Sequence, residues 1–215
     1  MNMQLSFPNI NKDPFSLSVV KMLEEAIINL EIKPGDRLIE TKISKTFGVS
    51  RGPVREAIIE LESLGLVERT PYKGAVVSTL TQKDIQELKS CRMSVEKLAA
   101  QIIIDSEEGK NIALKELNTI LSEMVKHAYK RELREFLALD FMFHDQLIHG
   151  AKNSLLEEMW KPISTRLRRY FYLNSGQGYI PLEEAVKQHS AIVEAISAGD
   201  TELTWKILQT HKCWS

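Results

Sequence analysis

The segment from Phe47 to Val77, FGVSRGPVREAIIELESLGLVERTPYKGAVV, leaves this chain few options for folding. Just before it, Glu40 to Phe47 has helical period with Ile43 and Phe47 on one face, and Gly48 supplies the φ > 0 residue that a helix exit uses. A second helix begins at once. Ser50 is a favoured N-cap whose hydroxyl can accept from the first orphan N–H groups, and Pro53 falls in the first turn, where a missing N–H costs nothing. From there Val54, Ala57, Ile58, Leu61 and Leu64 recur at i, i+3, i+4, so one stripe is buried. Leu66 to Arg69 and Ala75 to Val77 then read as two short strands joined by a Pro71–Gly74 turn.

Burying that stripe leaves Arg51, Gly52 and Arg55 on the exposed N-terminal end of the helix. A guanidinium fork can bond guanine O6 and N7 together or clamp a phosphate, so these arginines suit a helix entering a major groove. Either could be the base reader and the other the backbone anchor. Lys73, at the tip of the strand turn, would face a phosphate or a minor groove, as a wing does. The plain alternative is a helical hairpin with solvated arginines.

The order of motifs is similar to the winged helix-turn-helix of the GntR family of bacterial transcription regulators. The likeness runs from an amphipathic opening helix (Val19, Val20, Leu23, Ala26, Ile27, Leu30) through Pro34-Gly35-Asp36-Arg37-Leu38 and Gly48-Val49-Ser50-Arg51. It continues through Pro53-Val54-Arg55-Glu56-Ala57 to Gly65-Leu66-Val67. It implies DNA contacts by Arg37, Thr41, Ser50, Arg51, Gly52, Pro53, Arg55, Lys73 and Gly74. The chain departs from the family at three places. Glycine is common where Leu30 stands, threonine or serine where Gly52 stands, and a bulky residue where Ala75 stands. Gly52 lacks a hydroxyl for a phosphate, leaving that contact to its backbone N–H.

A chain of 215 residues with 43% apolar content accommodates two domains, drawn at 1–78 and 79–215. No run of eighteen apolar residues occurs and no signal-peptide h-region opens the chain, so a cytoplasmic protein without membrane contact is expected. Cys91 and Cys213 lack metal-ligand spacing and read as free thiols. A net charge of −1 argues against nonspecific coating of nucleic acid but not against site-specific binding through a local cationic face.

Beyond Ser78 every long segment has helical period. Thr81 with Asp84 resembles a capping box, opening a helix that carries Ile85, Leu88, Val95, Leu98 and Ala99 toward Ile104. Further helices are expected over about 108–129, 132–149, 154–174, 182–198 and 200–213, broken at Gly109, Gly150 with Asn153, the loop to Pro181, and Gly199-Asp200. The expected fold is mainly α: an N-terminal winged helix-turn-helix and a C-terminal antiparallel six-helix bundle, whose interior is a natural ligand cavity.

In that bundle Asp140 and His144 are i, i+4 on one helix face, and His189 and His211 lie on two later helices with inward apolar neighbours. Three imidazoles and a carboxylate suit a divalent ion, Zn²⁺ above all, with Ni²⁺ or Mn²⁺ as alternatives. Spacing alone does not separate such a site from hydrogen-bonded core histidines. The runs Asp140-Phe141-Met142-Phe143-His144, Lys152-Asn153, His189 with Ile192 and Ala195-Ile196, Gly199-Asp200 and the late His211 resemble the helical FCD-type ligand-binding domain of FadR-like GntR regulators. That resemblance implies a divalent metal on Asp140, His144, His189 and His211. It also implies that Arg92, four residues before Glu96, binds the carboxylate of an acidic effector in a cavity with few competing acids. The same pair also reads as a surface i, i+4 contact. Arg166, Arg168 and Arg169 are placed near that cavity or a dimer surface, and His127 and His149 are read as surface residues.

The resulting expectation is a homodimeric transcriptional regulator, with repression the expected sign. Its affinity for an inverted-repeat DNA operator would be controlled by a small carboxylate in a metal-containing helical domain. The alternative is a metal-dependent hydrolase using the Asp/His₃ set. It is disfavoured because a hydrolase needs no recognition helix and no separate general base is seen, so no catalytic residue is assigned.

Overall fold

The computed structural model describes residues 14–174 and 181–211. The chain divides into two units, Met1–Thr79 and Leu80–Ser215.

In the first unit, α1 (Pro14–Ile28), α2 (Glu40–Phe47) and α3 (Arg51–Ser63) precede a hairpin of β1 (Val67–Thr70) and β2 (Gly74–Val77). The i, i+3, i+4 stripe of α3 (Val54, Ala57, Ile58, Leu61) is buried against Val19, Leu23 and Ile27 of α1. Gly48 closes α2 at φ 66°, so the chain reverses into α3 within three residues. Ser50 is the N-cap of α3, yet its hydroxyl makes no cap hydrogen bond, unlike the sequence expectation. It stands exposed beside the first N–H groups of the helix.

The strands begin one residue off their expected position. Leu66 turns into the core with its N–H on the Leu61 carbonyl at 3.0 Å, so pairing starts at Val67↔Val77 and ends at Thr70↔Gly74. The segment before α2 adds to this hairpin. Gly35 and Leu38 donate to the carbonyls of Val77 and Ala75, each at 2.9 Å, and Val77 donates to Asp36 at 2.9 Å. The Pro34-Gly35-Asp36-Arg37-Leu38 motif is therefore laced along β2, which ties the start of α2 to the wing.

Among the described residues the second unit has six helices: α4 (Gln82–Asp105), α5 (Glu107–Lys130), α6 (Leu133–Gly150), α7 (Ser154–Leu173), α8 (Leu182–Ala198) and α9 (Thr201–Thr210). Thr81 and Asp84 form the reciprocal capping box of α4. Three details differ from the sequence expectation. Gly109 lies inside α5, not at its edge, because the Ser106 hydroxyl caps the helix by accepting from the Gly109 N–H at 3.1 Å. Leu98 is 49% exposed, because the inward stripe of α4 is taken by Arg92, Val95, Glu96 and Ala99. Helix α9 stops at Thr210, whose hydroxyl donates to the Lys206 and Ile207 carbonyls at 3.0 and 3.2 Å, and His211 follows in extended backbone. The expected extension to residue 213, with Cys213, lies outside the described residues.

The main core of this unit includes Ala99, Ile103, Leu117, Met124, Phe143, Leu147, Ile192 and Ile196, all fully or nearly fully buried. Helix α6 approaches its neighbours closely at Gly150, where a Cβ would fall 3.0 Å from Ala113 Cβ and 3.2 Å from Ile103 Cδ1. No helix among the described residues is long and apolar enough to cross a membrane.

Leu30 does not continue α1. It adopts the left-handed conformation at φ 64°, the position where the resembled family often has glycine. That conformation costs an L-residue about 1–2 kcal/mol, of which glycine's greater unfolded-state freedom returns about 0.4–1. Leu30→Gly is expected to stabilise the winged unit by about 0.5–1 kcal/mol in urea unfolding. A loss of stability of that size would contradict the strain.

Candidate functional site

The first candidate surface lies between the start of α3 and the wing. Arg51 and Arg55 project from successive turns, with side chains 55% and 58% exposed. They are not simply solvated. Arg51 Nη2 and Arg55 Nε both donate to the same oxygen, Glu40 Oε2, each at 2.9 Å. These two hydrogen bonds hold the Glu40 carboxyl below its usual range. Arg37 Nε donates to the Lys73 carbonyl at 2.8 Å, fixing the wing turn to the segment before α2. A cavity of about 220 Å³ is lined by Arg37, Glu40, Arg55, Arg69, Lys73 and Gly74, among others. Thr41, Ser50, Gly52, Lys73 and Gly74 are exposed, and Pro53 is half-buried.

Sequence reasoning missed three members of this surface. Glu40 escapes because its link to Arg51 spans eleven positions and two helices, which no single-helix periodicity encodes. Tyr72 sits fully exposed in the wing turn at φ 64°, and Arg69 on β1 is held by both Glu62 oxygens at 2.9 and 3.1 Å. Aromatic and basic residues flanking the Pro71–Gly74 turn were the available signal.

The second candidate site lies inside the helical unit. Asp140 and His144 come from α6, His189 from α8 and His211 from the residue after α9, and one ligand atom of each falls within 4.8 Å of all the others. Asp140, His144 and His189 are buried and His211 half-buried. Phe143 stands edge-on to His189 with ring centroids 4.7 Å apart, giving the cluster an apolar wall.

The protonation pattern follows from the partners. His189 Nδ1 lies 2.7 Å from the Ala185 carbonyl, which can only accept, so Nδ1 carries a proton and Nε2 points inward. That Nε2 is 3.1 Å from Asp140 Oδ1 but makes no hydrogen bond. His144 Nδ1 lies 3.0 Å from Glu96 Oε1, which leaves its Nε2 facing His211 Nε2 at 3.2 Å. Burial, and then the Arg92 guanidinium, push the His144 pKa down. Burial, followed by His189, His144 and Arg92, pushes that of His211 down much further. Burial alone would raise the Asp140 pKa, but His189, His144 and Arg92 outweigh it and hold the carboxyl well below the usual range.

Imidazole nitrogens and a carboxylate oxygen thus face one another. A divalent cation fits this donor set, because metal–ligand bonds of about 2.0–2.2 Å put donor atoms on a sphere about 4 Å across. Glu96 behind His144 and the Ala185 carbonyl behind His189 match the outer partners that orient ligating histidines.

Arg92 and Glu96 are a buried pair, not a surface one. Arg92 Nε donates to Glu96 Oε1 at 2.8 Å, with side chains 9% and 2% exposed, and Arg92 Nη2 bonds His144 Nε2. Glu96 is thus an acid already engaged by Arg92 beside the histidines. Burial would raise the Glu96 pKa, but Arg92 and His144 together lower it. Of the other candidates, Arg168 pairs with Asp145 at 3.0 Å and stacks over Phe141, Arg166 is half-buried and Arg169 is fully buried. His127 is part-buried against Glu132 at 2.7 Å, whereas His149 is exposed beside Glu157 at 2.9 Å. Cys91 is an exposed free thiol. Glu96→Ala leaves the Arg92 guanidinium buried without its carboxylate, and is expected to cost about 3–5 kcal/mol in denaturant unfolding. A cost below about 1 kcal/mol would mean that water reaches the pair.

Comparison with known proteins agrees with this architecture. Residues 15–77 match the family of bacterial regulatory proteins, gntR family, and residues 87–212 match the FCD domain. The "Probable D-xylose utilization operon transcriptional repressor" of Paenarthrobacter nicotinovorans is 30% identical over 172 residues, covering 80% of this chain and 74% of its own. The gluconate operon transcriptional repressor of Bacillus subtilis is 29% identical over 201 residues, covering 90% and 80%. A GntR-type regulator structure from Rhodococcus sp. RHA1 superimposes with a TM-score of 0.73 at 25% identity, covering 91% of this chain and 92% of that one. The relatives are transcriptional regulators, and this chain belongs to the GntR family, with a winged helix-turn-helix followed by an FCD domain.

Proposed function

We propose that this regulator is a repressor whose hold on an inverted-repeat operator is set by a small carboxylate bound in the helical unit, beside a divalent metal on Asp140, His144, His189 and His211. The observation that carries this reading is the buried Asp/His₃ cluster with the Arg92 guanidinium against one of its histidines. With the neutral imidazoles that metal ligation requires, Asp140, Glu96 and Arg92 leave the set with a net charge of −1. When bound, a divalent ion would turn this into a net +1 and offer open coordination to a carboxylate oxygen, with Zn²⁺ the best match to the donors. Arg92 would take the other carboxylate oxygen through its planar fork. A gluconate operon repressor among the relatives suits this effector class, since gluconate is a small hydroxy-carboxylate.

On the DNA side, Arg51 and Arg55 would read and anchor in the major groove, with Arg37, Thr41, Ser50, Gly52, Pro53, Lys73 and Gly74 around them. One short helix and one wing read few base pairs, so a twofold-related pair is needed for tight specificity.

His189→Ala is expected to abolish stoichiometric metal in plasma emission analysis and to lower the melting temperature, while Arg92→Ala retains metal and loses the calorimetric response to small carboxylates. Full metal occupancy in His144→Ala and His189→Ala alike would return the cluster to hydrogen-bonded core histidines. Arg51→Ala or Arg55→Ala is expected to weaken binding to a duplex selected by the wild-type protein roughly ten- to a hundredfold in fluorescence anisotropy. Undiminished affinity in both variants would remove α3 from the DNA interface. Sedimentation and footprinting are expected to show a dimer protecting two symmetric half-sites; a monomer on one asymmetric half-site would refute the dimeric mode.

A further inference from the structure

We propose that Glu40 is a positioning residue for operator recognition: a single carboxylate oxygen holds Arg51 and Arg55 in one arrangement, so that sequence discrimination depends on an acid within the cationic surface. The inference rests on the reading of α3 as the recognition helix and adds a residue to it.

The placement of Glu40 is unusual on electrostatic grounds. A carboxylate on a surface meant for phosphates repels them and lowers affinity for any duplex. Exposed ion pairs also add little to stability, so folding alone does not call for it. What it does supply is geometry. Arginine side chains are long and rotamer-rich, and their freedom must be given up when they meet base edges. Glu40 Oε2 receives Arg51 Nη2 and Arg55 Nε at 2.9 Å each, restricting both side chains before any DNA arrives. Because Arg55 is held through Nε, both of its Nη groups are left for a bidentate contact.

Glu40 is itself held. It is the first residue of α2, where a carboxylate meets the positive end of the helix dipole, and its side chain is only 29% exposed. The residues just before it are bonded along β2, and Arg37 in that segment bonds the Lys73 carbonyl. One rigid segment therefore connects the wing turn to the arginines of α3. The hydrogen bonds from Arg51 and Arg55 lower the Glu40 pKa below that of an ordinary glutamate.

The experiment selects a duplex from a random-sequence library with the wild-type protein. It then compares wild type, Glu40→Gln and Glu40→Ala on that duplex and on a scrambled duplex of equal length, by fluorescence anisotropy at fixed salt. Positioning predicts that affinity for the scrambled duplex holds or rises, while affinity for the selected duplex falls about tenfold, a change in the specificity ratio that mere charge removal does not produce. The isosteric Glu40→Gln keeps the test available should Glu40→Ala fold poorly, as judged by its melting curve. If both affinities rise together with the ratio intact, Glu40 is only a repelling charge and the proposal is wrong. Unchanged affinities on both duplexes would overturn it equally. Failure of the wild-type protein to select any sequence is a separate result, and takes down the recognition-helix reading itself.

Discussion

A carboxylate removed from water costs several kcal/mol unless cations or hydrogen bonds surround it, and Asp140 is such a group at the centre of the helical unit. It is fully buried, and its neighbours are arranged around it: His189 at 3.1 Å, with His144 and Arg92 adding to the field that keeps it ionised. Those neighbours are buried polar groups in turn. Glu96 answers Arg92 and His144, and the Ala185 carbonyl fixes the His189 ring. The apolar core of α4 to α9 closes around this network, with Phe143 edge-on to His189. Such a network is a poor source of stability, because a hydrophobic core of equal volume is commonly as stable. Stability alone therefore does not account for it, and its three imidazoles and one carboxylate are a donor set that suits a divalent cation.

The winged unit has a different logic. Its core is an ordinary apolar stripe, Val19, Leu23 and Ile27 of α1 against Val54, Ala57 and Leu61 of α3. On its surface acids pair with bases across elements: Glu40 with Arg51 and Arg55, Glu62 with Arg69. A purely basic face would bind any duplex. Interspersed acids instead limit where each guanidinium can reach, which favours discrimination over affinity.

Much of this was legible in the chain. Local signals act over three or four residues, so the α3 stripe, the Gly48 exit, the Thr81–Asp84 box and the all-helical character past Ser78 were all readable by period and cap. Boundaries were less so. The Ser106 cap sets the start of α5 ahead of Gly109, and α9 ends at Thr210, before His211. Boundaries of this kind shift by a residue or two with local cap geometry, which helical period does not encode.

By itself the sequence determined the order of elements, which face of each helix is apolar, and the presence of Asp140, His144, His189 and His211 on segments able to meet. Local propensity and side-chain period suffice for that. Only the tertiary structure decided that four ligand atoms approach within 4.8 Å, that Arg92 and Glu96 are buried, not solvated, and that Glu40 reaches across two helices to Arg51 and Arg55. These facts depend on packing between segments far apart in the chain. Distance, dielectric and shared oxygens are properties of that packing, and no periodicity along the chain encodes them.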